Sequence, residues 1–313
     1  MLAVLLGVAP ASWAEALTIR QGAVGRVEVT IHPGDSAPWG SFVGERVVFR
    51  RVGPERFAAL LGVDMETAVG DHPLEVRVLR GGVSTVVTRP TVTVSDGGFG
   101  VQRLTLPDKM VDLDDAALER VAREKVEVGE LWEQGARSTP VWSDEWRQPV
   151  AGEAAGSFGK RRIINGNPRN PHNGEDIAAP EGTPVLAPNA GTVRLAGERF
   201  FGGQTVFLEH GGGLFTFYMH LSAIDVADGQ RVRAGERIGR VGASGRATGP
   251  HLHWGGRLNN ARINPFTLLQ PPAVLTVAAA PAADGPGTPA ADQLATPPAD
   301  QAGTPPADQA GTP

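Results

Sequence analysis

From Leu17 to about Gln102 apolar and polar side chains alternate, as in Val27-x-Val29-x-Ile31, Val47-x-Phe49, Val76-x-Val78 and Val92-x-Val94. A period of two turns one face of an extended segment to a core and the other to water, which commits these stretches to half-buried strands. Turn residues separate them at short intervals, at His32-Pro33-Gly34-Asp35, Gly53-Pro54, Gly81-Gly82 and Asp96-Gly97-Gly98. Short strands with that punctuation predict a small antiparallel sandwich. The pattern then changes. Asp114-Asp115 opens a stretch with Leu118, Val121, Ala122, Lys125 and Val128, whose 3.6-residue period and acidic start predict a helix ending between Gly129 and Gly135.

After a connector rich in Pro, Gly, Ser and Trp, short strands with glycine turns resume. Thr192-Val193-Arg194-Leu195, Thr205-Val206-Phe207-Leu208, Leu214-Phe215-Thr216-Phe217-Tyr218, Arg231-Val232-Arg233, Arg237–Val241 and His251-Leu252-His253-Trp254 are examples. Beyond Pro271 an eight-residue unit repeats four times, from Ala283-Asp284 to Ala307-Asp308, each copy closing on Thr-Pro. Such a segment has too little apolar content to bury a core and is expected to be a disordered, extended spacer. The predicted fold class is therefore mainly β. Residues 17–136 form an N-terminal β-sandwich-like domain with one C-terminal helix, 137–156 a linker, 157–269 a second, antiparallel-β domain, and 270–313 a disordered Ala/Asp/Pro-rich repeat tail.

Met1 to Pro10 is almost wholly apolar, and Ser12-x-Ala14 or Ala14-x-Ala16 suits a signal peptidase, so 1–16 reads as an export signal. The run falls well short of the roughly 20 residues of a membrane span, so no integral membrane segment is expected after cleavage. The predicted location is extracytoplasmic, in a bacterial periplasm, cell envelope or medium. The chain has no cysteine, which excludes disulfides, thiolate metal sites and cysteine nucleophiles. Its net charge of −5 hides an asymmetry: Leu17–Trp146 carries 15 basic and 20 acidic side chains, Arg147–Gln270 carries 14 and 9. Opposite signs predict that the two domains pack on one another. A basic second domain favours an anionic partner, of which a carboxylate-bearing cell wall is one. No nucleic-acid-binding pattern accompanies the charge, so none is expected as a partner.

Seven histidines are present. His32 and His72 each adjoin a proline in an expected turn and are assigned to the surface. The other five fall in one window. His172 and Asp176 are four residues apart, about 13 Å in a straight strand, and Gly174 between them allows the loop to fold back so that both reach one ion. His251 and His253 share a strand face, and His220 closes another strand on the face of Tyr218. Two imidazoles and a carboxylate suit Zn²⁺ and leave a fourth position for water, the pattern of a catalytic site. Two further histidines are then available as base and as donor to a developing oxyanion. No Gly-x-Ser-x-Gly elbow, His-Glu-x-x-His helix, Walker loop or Rossmann glycine pattern competes.

Motifs in the second domain resemble those of the lysostaphin/LytM-type peptidoglycan endopeptidases over about 110 residues. They run from Phe158-Gly159-Lys160-Arg161-Arg162 and His172-x-Gly174-x-Asp176 through Ala179–Val185, Gly191-Thr192-Val193, Glu209-His210-Gly211 and Tyr218-Met219-His220-Leu221. Gly229–Val232, Gly235-Glu236, Gly242–Gly245, Thr248–His253 and Ile263-Asn264-Pro265 complete the series. The resemblance implies one zinc ion per chain in a groove of a LytM-type β fold, held by His172, Asp176 and His253, with His220 and His251 as catalytic histidines. It implies a secreted metalloprotease acting on peptidoglycan stem peptides or cross-bridges. Alternatives from other classes are a catalytically inactive relative that activates a cell-wall amidase, and a wall-binding module. Trp254-Gly255 departs from the family's usual Phe-Glu, and the groove shape is where that departure is expected to show.

Overall fold

The computed structural model describes residues 17–105, 111, 113–135 and 138–280. The expected export signal and the repeat units from Ala283 onward lie outside the described residues. The first part contains β1 (Leu17–Arg20), β2 (Val24–Thr30), β3 (Trp39–Phe42), β4 (Glu45–Val48), β5 (Arg50–Gly53), β6 (Arg56–Gly62), β7 (Gly70–Arg80), β8 (Val83–Thr88) and β9 (Thr91–Ser95). Then come β10 (Val101–Leu104), the helix α1 (Asp115–Gly135), β11 (Arg161–Ile164), β12 (Asn167–Arg169), β13 (Gly174–Ala178), β14 (Pro184–Leu186), β15 (Gly191–Arg199) and β16 (Gly203–Gly211). The chain continues through β17 (Leu214–Ile224), β18 (Arg231–Val232), β19 (Arg237–Val241), β20 (His251–Leu258), β21 (Ala261–Ile263) and β22 (Val274–Ala278). Among the described residues the protein is mainly β with one α-helix and a short 3-10 helix at Pro265–Leu268, and no helix there is long and apolar enough to cross a membrane.

Two sheets face each other in the N-terminal part. One has the order β1-β9-β7-β3-β4 with β8 on β7, the other β22-β2-β6-β5. Alternation explains their pairing. Leu74, Val76 and Val78 of β7 and Val92 and Val94 of β9 are fully enclosed, while Glu75 and Arg77 between them are not. These residues meet Val27, Val29 and Leu61 of the second sheet in one apolar core.

Strand β22 corrects the expectation of a structureless tail from 270. Val274–Ala278 pairs in parallel with β2, in the register Val27↔Leu275 and Val29↔Val277. Leu275 and Val277 are buried in the sandwich core. The local cue was a short, mostly apolar run, Val274-Leu275-Thr276-Val277, ahead of the repeats, and its partner is β2, near the start of the described chain. Of the expected linker, the stretch 138–156 is irregular yet packed: Trp142 and Val150 are buried, Val141 N donates to His210 O, and Ala154 bridges Ile177. His72 sits within β7, where a turn was expected, and the Nε2 of His32 is enclosed, so neither is a plain surface histidine.

The second part is a sheet of order β13-β20-β17-β16-β15-β18, with β14, β19 and β21 attached and a small sheet β10-β11-β12 beside it. Helix α1 is capped by Asp114 Oδ1, which accepts from Ala117 N at 2.8 Å. Its last turns lie on this sheet, where Val128, Leu131 and Trp132 cover Leu195, Phe207 and Phe217. The two parts do pack together, mainly through apolar contact. Strand β6 is enclosed on both faces: Phe57, Ala59 and Leu61 fill the sandwich, while Leu60 joins Val24, Trp142, Leu214, Leu258 and Ile263. The expected charge attraction appears at Glu127 of α1, which accepts from Arg199 Nη2 at 2.9 Å, and at Arg262. Asp64 Oδ2 accepts from Arg262 N at 2.8 Å and Nε at 2.9 Å, and Glu66 takes an Nη2 bond at 2.6 Å.

Candidate metal centre

Strands β13 and β20 run antiparallel with Asp176 opposite His253 and Ala178 opposite His251. Directly opposed residues lie about 4.5–5.5 Å apart at Cβ, so the register alone brings the carboxylate to the imidazole. His253 Nδ1 is 2.9 Å from Asp176 Oδ1. His172, just ahead of β13, places Nε2 2.9 Å from His253 Nδ1 and 3.4 Å from Asp176 Oδ1. Its backbone is pinned on both sides, with His172 N donating to Lys160 O and Gly159 N to His172 O. Gly174 acts by close approach and not by loop freedom: a Cβ there would lie 2.4 Å from His253 Nε2, and its φ is not in the left-handed region. Phe217 stacks on the other side of the His253 ring at 6.0 Å.

Three donor atoms thus converge, and their chemistry fits a cation. Burial pulls the His172 pKa down to about 4, overriding the pull of Asp176 in the other direction. Burial alone would raise Asp176, but its bonds to His172 and His253 outweigh that and hold it well below the carboxylate range. An ionised, half-buried carboxylate beside a neutral imidazole is the protonation state metal binding requires. Zinc–nitrogen and zinc–oxygen bonds of about 2.0–2.1 Å in a tetrahedron imply ligand spacings of roughly 3.3–3.4 Å. The longest edge of the triangle matches that, and the other two are shorter by about half an ångström. His172 Nδ1 and His253 Nε2 have no hydrogen-bond partner, so packing holds these rings.

His220 and His251 stand beside the triangle, their ring centroids 4.8 Å apart and His251 Nε2 3.8 Å from Asp176 Oδ1. Both are tied through Nδ1, His220 to Ser244 O and His251 to Gly249 O, each at 2.9 Å. A carbonyl only accepts, so Nδ1 carries the hydrogen and Nε2 presents its lone pair. Burial, then the nearby His253 and His251, lower the pKa of His220 to about 3.

His220 corrects the simple strand reading. Alternation would put it on the core side with Tyr218, but only Tyr218 is in the core, and Met219 and His220 both line the cleft. Two features turn it: the β16–β17 register shifts between the pairs Gln204↔Leu221 and Val206↔Tyr218, so that Met219 and His220 together oppose Thr205, and His220 adopts φ +64°. A bulge re-aims side chains in this way, and a left-handed histidine is a strain found at functional sites. Ser244 supports the turn. Its Oγ donates to Leu221 O and accepts from Gln204 N, while Gly203 at φ +60° leaves no room for a Cβ against it. Glu175 was not foreseen. On the opposite face of β13 it is buried and accepts from Ser157 N, Ser157 Oγ and Phe158 N, and Ser157 Oγ in turn accepts from Asp176 N. An acidic residue next to Asp176 in a strand was the only local sign of it.

The five residues border one cleft of about 150 Å³, walled by Gln102 and Leu104 of β10, Arg162 and Ile164 of β11, and Arg246 and Thr248. Trp254 and Gly255 do not line it. Trp254 is fully enclosed against Phe266, and Gly255 lies under Phe217, so this departure acts on the core and not on the groove.

Comparison with known proteins bears on the same region. Residues 170–265 match Peptidase family M23. The DD-carboxypeptidase/endopeptidase Mpg of Neisseria meningitidis is 46% identical over 107 residues, 34% of this chain and 25% of that protein. The peptidoglycan DD-endopeptidase ShyA of Vibrio cholerae is 48% identical over 84 residues, 27% of this chain and 20% of that protein. The match thus spans about a quarter of the length of these curated relatives. A solved structure from Pseudomonas aeruginosa, described as a candidate peptidase M23, is 34% identical with a TM-score of 0.61, over 80% of this chain and 95% of that one. With similarity of that extent along nearly the whole of a solved relative, and the His172, Asp176 and His253 cluster inside the matched segment, the chain belongs to peptidase family M23.

Proposed function

We propose that this protein is a zinc-dependent endopeptidase that hydrolyses peptide cross-links of bacterial peptidoglycan outside the cytoplasm. The observation that carries the reading is the triangle of His172 Nε2, Asp176 Oδ1 and His253 Nδ1 beside two histidines held in one tautomer. Zinc held by those three atoms would supply Lewis acidity to the attacking water and the scissile carbonyl. His220 and His251, with their Nδ1 hydrogens committed, are proton acceptors at Nε2. Whichever takes the proton of the attacking water becomes an N–H donor that stabilises the developing oxyanion and returns the proton to the leaving amine. Ser244 and Gly249 hold the tautomers, and Glu175 fixes the loop ahead of the triangle. Relatives named as a DD-carboxypeptidase/endopeptidase and as a peptidoglycan DD-endopeptidase support the substrate class, as does the basic balance of Arg147–Gln270. An inactive amidase activator would lack a ligand, and all five positions are filled.

Purified protein is expected to hold one zinc per chain and to clear purified cell walls, with activity lost to a chelator and restored by zinc. Asp176→Ala is expected to abolish both zinc and clearing. Full zinc occupancy in Asp176→Ala sinks the ligand assignment, and clearing that survives complete zinc removal sinks the mechanism.

A further inference from the structure

Helix α1 carries two carboxylates to the tip of the β15–β16 hairpin. Glu124 turns both oxygens to the backbone of Phe200, whose N lies 3.0 Å from Oε2 and 3.2 Å from Oε1. Glu127, nearly one turn further on, accepts from Arg199 Nη2 at 2.9 Å and Nη1 at 2.5 Å. Arg120 stands four residues before Glu124, the spacing that puts two side chains on one helix face. Its Nε donates to Glu124 Oε1 at 2.8 Å and holds the carboxylate in place. The far end of the helix is fixed as well. Trp132 meets Phe215 edge to face at 4.7 Å, and Gly135 lies so close under the same ring that a Cβ there would be 2.2 Å from it. The helix thus forms a strut from the sheet to the hairpin tip.

That tip supports His220. Phe201, Gly202 and Gly203 are buried in it, and Phe201 lines the cleft. His220 falls in the gap where the β16–β17 ladder passes from Gln204↔Leu221 to Val206↔Tyr218. Its backbone N donates instead to Gly202 O at 2.7 Å, beyond the end of β16. Gln204 N donates to Ser244 Oγ, and Ser244 O takes the His220 Nδ1 hydrogen, so backbone and ring of the histidine both lead back to the same hairpin. A left-handed histidine persists only where its surroundings over-determine it, and a carboxylate on a backbone N–H is among the stronger bonds that can do so. We propose that Glu124 is a positioning residue for the hydrolysis: by fixing Phe200 it fixes Gly202 O, and through it the place of His220 beside the metal triangle. The inference rests on the peptidase reading. It adds to that reading a residue outside the family match, since α1 precedes residues 170–265.

Cleavage of purified muropeptide dimers by the zinc-loaded full-length protein is the first readout, and amide hydrogen exchange, with and without zinc, is the second. Glu124→Ala is expected to keep its zinc and lower kcat about 10–100-fold while KM stays within about twofold, because a displaced His220 is felt when the proton moves. Two conservative variants separate reach from charge. Glu124→Gln keeps an oxygen for Phe200 N and is expected to recover most of kcat. Glu124→Asp keeps the charge but withdraws it by a methylene, and is expected to fall with the Ala variant. Glu119→Ala, at an exposed position of the same helix, is expected to match the native protein. In Glu124→Ala and Glu124→Asp the Phe200 and His220 amides are expected to exchange about 10-fold faster, the worth of one such bond, while Leu208 within β16 is unchanged. Native kcat in both of those variants would overturn the positioning role and leave the peptidase reading standing. So would a loss in Glu124→Gln equal to theirs, or faster exchange that extends to Leu208, the mark of a general loss of stability. Failure of the zinc-bound native protein to cleave any dimer would overturn the peptidase reading and this role with it.

Discussion

The N-terminal sandwich and the second β unit are built from similar short strands, yet their interiors differ in kind. The sandwich encloses Val, Leu, Ile and Phe almost without interruption, and an ion pair such as Asp35 with Arg80 stands at its margin, partly open. The second unit encloses His172, Glu175, Glu209, His210, Thr216 and His253 within its sheets. An apolar core needs only area removed from water, at about 25 cal/mol per Å². A polar interior costs stability unless each group finds a partner, and away from the metal triangle those partners are supplied in chains. His210 Nδ1 donates to Ala190 O, its Nε2 accepts from Thr216 Oγ1, and Tyr218 OH lies 2.6 Å from the same Oγ1. The difference teaches that one half is organised for cohesion and the other for chemistry, and substitutions in each should fail in different ways.

The sharpest break is expected at the two histidines outside the triangle. His220→Ala and His251→Ala should fold and keep zinc while losing about 10²–10⁴-fold in kcat, the usual worth of general acid–base help. Zinc content and turnover measured on the same preparations decide it, and near-normal turnover in either variant removes that histidine from the chemistry. In the sandwich the order of effects should reverse. Leu61, 1% exposed in the core, should cost roughly 2–5 kcal/mol of stability when cut to Ala. Turnover per folded molecule should stay unchanged; a fall in kcat at full zinc occupancy would show that the sandwich shapes the cleft directly.

The smallest effect concerns pH. Burial brings the pKa of His210 down to about 4, against a bonding pull from Ala190 the other way. Because the folded value lies below the unfolded one, the unfolded chain binds the proton first. Stability from this group is complete above about pH 6.5 and is lost as pH falls toward 4, by roughly 3 kcal/mol at most. Denaturation of native protein and of His210→Asn between pH 7 and 4 measures it, and the variant should show the shallower decline. Parallel curves would mean that His210 does not titrate on unfolding, and the polar interior of the second unit would then behave like the sandwich.

Much of this was legible in local pattern. Val76-x-Val78 and Val92-x-Val94 announce strands facing one core, and Asp114 with the 3.6-residue spacing that follows announces the helix. The five residues that border the cleft were legible as a set, because His172, Asp176, His220, His251 and His253 stand in a series of motifs whose order is specific. Less visible were residues that act by supporting others. Glu175, Ser244 and Glu124 each belong to common residue types, and nothing within a few positions marks what they touch.

The sequence by itself determined which segments extend, which coil and which side chains are chemically able to hold a metal, since these follow from periodicity and functional groups within a few residues. Only the tertiary structure decided the rest. Asp176 meets His253 because β13 and β20 pair in one register, and a slip of one residue would turn both away from each other. His220 reaches the cleft because a bulge and a left-handed φ override the alternation that would have buried it. Strand β22 closes the sandwich because β2 offers it an edge, and Phe57–Leu61 is apolar throughout because β6 is enclosed on both sides. Each of these depends on a partner far away in the chain, and the energy that settles it comes from contacts that exist only once the partner is in place.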